Sequence, residues 1–102
     1  MIRHIVLTRF LPDVSEATIA EIYGGLAAVA DRLPGASGFH GGRSNSPENI
    51  ERGYMHGFTI DFESLDDLAA YADDPEHKRW GAEIVAHADG GLDGVLVLDI
   101  DA

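Results

Sequence analysis

The 102-residue chain has no cysteine, which excludes disulfide staples, thiolate catalysis and cysteine–zinc sites. Basic residues are almost as scarce. Seven Lys and Arg stand against 18 Asp and Glu, for a formal net charge of −11. They are also scattered, at Arg3, Arg9, Arg32, Arg43, Arg52, Lys78 and Arg79, with only the last two adjacent. Phosphate backbones and anionic lipid headgroups call for clustered cations, so neither nucleic acid nor membrane is an expected partner. Long apolar runs are missing too. The opening MIRHIVLTRF lacks the apolar core and cleavage pattern of a signal peptide, and no stretch approaches a membrane span of about 20 residues. The expectation is a soluble, cytoplasmic protein forming one domain over residues 1–102, with enough apolar content (45%) for a real core.

Glycine is plentiful, but Gly24-Gly25 and Gly41-Gly42 form neither a GxGxxG nor a P-loop. The β-branched run IRHIVLTRF reads as a first strand. Ser15 is a candidate N-cap. Ile19, Ile22, Tyr23, Leu26, Val29, Ala30 and Leu33 then recur at steps of three and four, one face of a helix that Pro34-Gly35 stops. ASGFHGGRS is a weaker strand, expected at an edge. YMHGFTIDFE alternates, with Tyr54, His56, Phe58, Ile60 and Phe62 pointing one way. Ser64-Leu65-Asp66-Asp67 is a capping-box pattern opening a short helix. Asp74-Pro75 breaks that helix and serves as N-cap and N1 of the next. Gly90-Gly91 ends the third helix, and LDGVLVLDI is the last strand.

The order βαββαβ, with its second helix in two pieces, predicts an α+β ferredoxin-like fold: an antiparallel four-stranded sheet with the helices on one face. Strands one and three are then central neighbours. Strand one carries Ile5 and Leu7 opposite Val6, and strand four carries Val95 and Val97 opposite Leu96 and Leu98. Apolar residues on both faces imply that both are covered. Helices cover one, and a second copy, sheet against sheet, is the simplest cover for the other. A homodimer is expected, with Val97 taken to face the partner.

The candidate chemistry is a set of histidines and one tyrosine. His4 shares a strand face with Ile2, Val6 and Phe10, and His56 shares one with Phe58 and Ile60. His77 falls at N3 of the post-proline helix, on the stripe continued by Trp80, Ile84 and Ala88, so it is expected to point inward. The helix N-terminus disfavours imidazolium and keeps such a ring neutral, able to accept a proton. Tyr71 supplies a phenolic O–H one broken turn earlier. Together they suit proton abstraction beside a carbonyl, with the phenol holding the enolate oxygen. Each group alone has a plainer reading as a satisfied core side chain. No HxH or HxxxH spacing occurs and no carboxylate clearly shares the face, so a metal is not expected. His40 and His87 look peripheral. Arg3, Arg9, Asp61 and Glu63 fall on the opposite face, where ion pairs are the plain expectation.

The segments HIVLTRF, NSPENIERGYMH, DFES and AYADDPEH, and within them the patterns GY-x-H and Y-x-x-x-P-x-H, resemble the stress-responsive α/β-barrel (Dabb) family in the same order over nearly the whole chain. The resemblance implies a dimeric α/β barrel built from ferredoxin-like subunits. Many members have no established activity. One plant member closes a linear polyketide by intramolecular aldol condensation with neither cofactor nor metal. Its reactive histidine and tyrosine are similar to His77 and Tyr71, and its supporting histidines to His4 and His56. The resemblance therefore implies either a cofactor-free cyclase or lyase acting on a small carbonyl compound, or a non-catalytic stress-associated dimer with a small-ligand pocket. Two departures stand out: the family's H-P-x-H reads Asp74-Pro75-Glu76-His77, and Leu26 stands where that cyclase has a pocket tyrosine.

Overall fold

A computed structural model describes residues 1–102. Four strands, β1 (Ile2–Thr8), β2 (Ala36–Arg43), β3 (His56–Phe62) and β4 (Val95–Asp101), form one antiparallel sheet in the order β2-β3-β1-β4. Helices α1 (Glu16–Arg32), α2 (Leu65–Asp73) and α3 (Pro75–His87) complete the α+β ferredoxin-like fold. The expected caps are in place. Ser15 Oγ accepts from Thr18 N–H at 3.1 Å and Ser64 Oγ from Asp67 N–H at 3.1 Å, each satisfying a backbone donor that the helix itself leaves unpaired. Asp74 Oδ1 accepts from the N–H groups of Glu76 and His77 at 2.9 and 3.3 Å. Pro75, which has no N–H to offer, is at home at the first helical position.

The core lies between the helices and one sheet face. Phe58, Ile60 and Phe62 of β3 and Val6 of β1 meet Ile19, Ile22, Leu26 and Val29 of α1, with Tyr71 and Ile84 from the other helices. Each such side chain contributes about 1.5–3 kcal/mol by leaving water. Trp80 of α3 is seated against α1 at Gly25, where a Cβ would come within 2.0 Å of the indole.

The strand ends differ from the sequence reading in two places. The third strand begins at His56, because Arg52 and Gly53 take left-handed φ values of 58° and 89° and turn the chain just before it. Tyr54 thus stands outside the ladder and donates to the Asp93 carbonyl at 3.4 Å. Leu92 and Asp93 belong to a 3-10 turn, Gly91–Gly94, rather than to the last strand.

The faces of β4 also require a correction. Val97 is the register partner of Val6 and Leu98 of Ile5. Directly opposed residues point the same way, so Val97 lies on the helix side and cannot be the partner-facing residue it was taken to be. It is 53% exposed because the helices do not reach this edge strand. The bare face carries Ile5, Leu7, Leu96, Leu98 and Ile100, the β4 members being 47–58% exposed. The expected cross-strand ion pair is there as well. Arg3 Nε and Nη2 donate to the two carboxylate oxygens of Asp61 at 2.9 and 3.2 Å.

Candidate functional site

The register decides which candidates meet. His4 is paired with Ile60 and Thr8 with His56, so the two strand histidines share the helix-side face but stand four residues apart. At about 3.3 Å per residue that is roughly 13 Å. The four candidate groups therefore stand in two clusters, not one.

The first cluster is His4, Tyr71 and His77. Asp74 caps α3 and aims the first turn so that the His77 ring lies 4.2 Å, centroid to centroid, from that of Tyr71. His4, from β1, has its ring 5.8 Å from Tyr71. Phe62 closes on the other side of the phenol at 5.1 Å. Tyr71 is 1% exposed, and its hydroxyl has no hydrogen-bond partner in the chain. Burial pushes the phenol's pKa up, so it remains a donor at any physiological pH.

Two hydrogen bonds assign the imidazole tautomers. Nδ1 of His77 lies 3.2 Å from the Ala72 carbonyl, and a carbonyl accepts only, so Nδ1 carries the proton and Nε2 has a free lone pair. His4 is set the same way: Nδ1 donates to Asp99 Oδ1 at 2.6 Å. Burial holds the His77 pKa below the ordinary histidine value. The Ala72 acceptor opposes this, and the neighbouring His4 adds to the lowering. The carboxylate with most power to reverse that direction, Asp74, is otherwise engaged. Arg32 Nη2 donates to both its oxygens at 2.9 and 3.0 Å, and this pair holds Asp74 below the usual carboxylate range.

His56 belongs to the second cluster, at the far end of the sheet. Its Nε2 lies 3.0 Å from both oxygens of Glu16, in the first turn of α1, and its ring stands edge-on to Phe10 at 5.5 Å. Arg43 Nη1 also reaches Glu16 Oε1, at 3.3 Å.

Sequence reasoning missed Asp99 and Glu16. Asp99 shares the parity of Val95 and Val97, so assigning those valines to the bare face hid a carboxylate lying directly opposite His4. Glu16 is 40 positions from His56, and nothing local connects them. No three His, Asp or Glu side chains are grouped to hold a metal ion, and no helix is long and apolar enough to cross a membrane.

Comparison with known proteins agrees with this architecture. A dimeric ferredoxin-like protein of unknown function from Jannaschia sp. CCS1 superposes with a TM-score of 0.92 at 32% identity, covering 99% of this chain and 98% of that one. Olivetolic acid cyclase from Cannabis sativa is 24% identical over 80 residues, 78% of this chain and 79% of its own. The stress-response A/B barrel domain-containing protein HS1 from Arabidopsis thaliana is 34% identical over 98 residues, 96% of this chain and 86% of its own. The family model described as Stress responsive A/B Barrel Domain matches residues 2–102, and the chain belongs to that family, Dabb.

Proposed function

We propose that this Dabb protein is a cofactor-free cyclase or lyase acting on a small polyketide-like carbonyl compound. The observation that carries the reading is the Tyr71 hydroxyl, buried without a partner on a ring packed against two imidazoles. A buried donor left unpaired costs about 1–3 kcal/mol, and a substrate oxygen arriving there would recover it. His77 Nε2 abstracts a proton from a carbon next to a carbonyl. The enolate oxygen accepts from Tyr71 O–H. The enolate carbon then attacks a second carbonyl of the same chain, and the new alkoxide takes its proton back from His77, so the step needs no external reductant or oxidant. His4, whose Nδ1–H is committed to Asp99, packs its ring against Tyr71 and orients the phenol. His56, roughly 13 Å along the strand, takes no part at the reacting carbon. The likeness to olivetolic acid cyclase supports this reading. The dimeric Jannaschia relative supports a homodimer, and the exposed apolar residues of the bare sheet face are where a second copy would pack.

A second reading, a non-catalytic dimer with a small-ligand pocket, has its own supporting observation. Tyr71 is packed tightly, and cavities of about 820, 290 and 280 Å³ are lined by other residues. Incubation with linear β-diketone and triketone thioesters, followed by mass spectrometry, separates the two. Cyclised product that disappears in both His77→Ala and Tyr71→Phe supports catalysis. Product of unchanged yield in His77→Ala, or none above the buffer control, supports the second reading.

A further inference from the structure

The second cluster has its own cleft. Glu16, Arg43 and His56 stand at one end of a cavity of about 290 Å³ between α1 and β2, with Tyr23 and Phe39 among its walls. Ala20 and Ala27, on α1, also line it, and their short side chains leave its volume open. The Tyr23 and Phe39 rings meet edge to face at 6.2 Å. Tyr23 is 5% exposed, and its hydroxyl has no partner in the chain. Burial raises that phenol's pKa, and the charge of Glu16, which lines the same cavity, raises it further. The Glu16 side chain is itself 64% exposed, so its carboxylate keeps acceptor capacity beyond the bonds from His56 and Arg43.

We infer that this cleft is a second ligand site, for a small uncharged phenol or aromatic alcohol that donates its O–H to Glu16 and lays its ring against Tyr23 and Phe39. The polar end holds one carboxylate against one guanidinium, so a net charge on the ligand gains nothing there. The chain's net charge of −11 repels anions in addition. The volume matches about ten water-sized groups of ~30 Å³, room for one ring with a short substituent. Phe58 separates this cleft from the Tyr71 cluster: its buried ring stands 5.3 Å from Tyr23 and 6.3 Å from His4.

The experiment titrates the protein with phenol, benzoate and benzylamine at millimolar concentration and reads the ring resonances of His56 and His77 by NMR. Phenol is expected to shift His56 saturably and leave His77 in place. Benzoate and benzylammonium are expected to bind at least about tenfold more weakly, the scale of a hydrogen bond to a charged group. Glu16→Gln weakens phenol by a similar factor. Ala20→Leu and Ala27→Leu fill the cleft and do the same. Ala20 is exposed and leucine is a good helix former, so that variant keeps the fold. No saturable response to phenol, a shift at His77 instead of His56, benzoate or benzylammonium binding as tightly as phenol, or unchanged affinity in both leucine variants overturns the inference. Because His77 is read in the same spectra and turnover in a separate assay, the two sites succeed or fail independently.

Discussion

The ring of His77 lies 4.2 Å from the ring of Tyr71, yet the Tyr71 hydroxyl is bonded to neither His77 nor His4. A phenol held this close to two imidazoles without bonding either costs stability. Tyr71→Phe removes the unpaired group and keeps the ring. Its melting temperature should equal or exceed the wild type by a few degrees, about 4–8 °C per kcal/mol in a domain of this size. Calorimetry checks this. Catalysis by Tyr71 adds a loss of turnover in the same variant, gain and loss together marking a functional group rather than a packing one.

His77 should titrate below the ordinary histidine value of 6.5, burial being the main cause. In the window between its folded pKa and 6.5 the unfolded chain binds more protons than the folded one. Stability therefore rises with pH across that window and is lost as pH falls through it. His77→Gln should flatten this part of the stability profile. An NMR midpoint above 6.5 would remove His77 from the role of base.

Adjacent glycines in α1 should respond in opposite directions. A Cβ on Gly24 meets nothing within 4 Å, so Gly24→Ala should stabilise by up to about 1 kcal/mol through helix propensity. A Cβ on Gly25 would come within 2.0 Å of the Trp80 indole. Gly25→Ala should cost about 1–3 kcal/mol as Trp80 is pushed off α1. Urea denaturation of the two variants reads both signs.

The dimer should break from the bare face. Leu98→Glu, beside Ile5, places a charge where a second sheet would pack and should give monomer by light scattering. Val97→Glu, on the helix side of the edge strand, should leave the dimer in place. The reverse pattern would put the interface elsewhere.

Element order, the helix caps at Ser15, Ser64 and Asp74, and the break at Pro75 were all legible in the sequence. Each depends on residues within a few positions of one another, where side-chain period and capping chemistry act directly. Which residues of β3 share a face was legible for the same reason. The pairing register was not. It sets His4 against Asp99, carries His56 away to Glu16, and puts Val97 on the helix side. Alternation along a strand shows which residues share a face, but not which face meets the helices or which residue lies opposite across 95 positions of chain. Those relations arise only when the sheet is assembled, because shifting a strand by one residue turns every side chain to the other side.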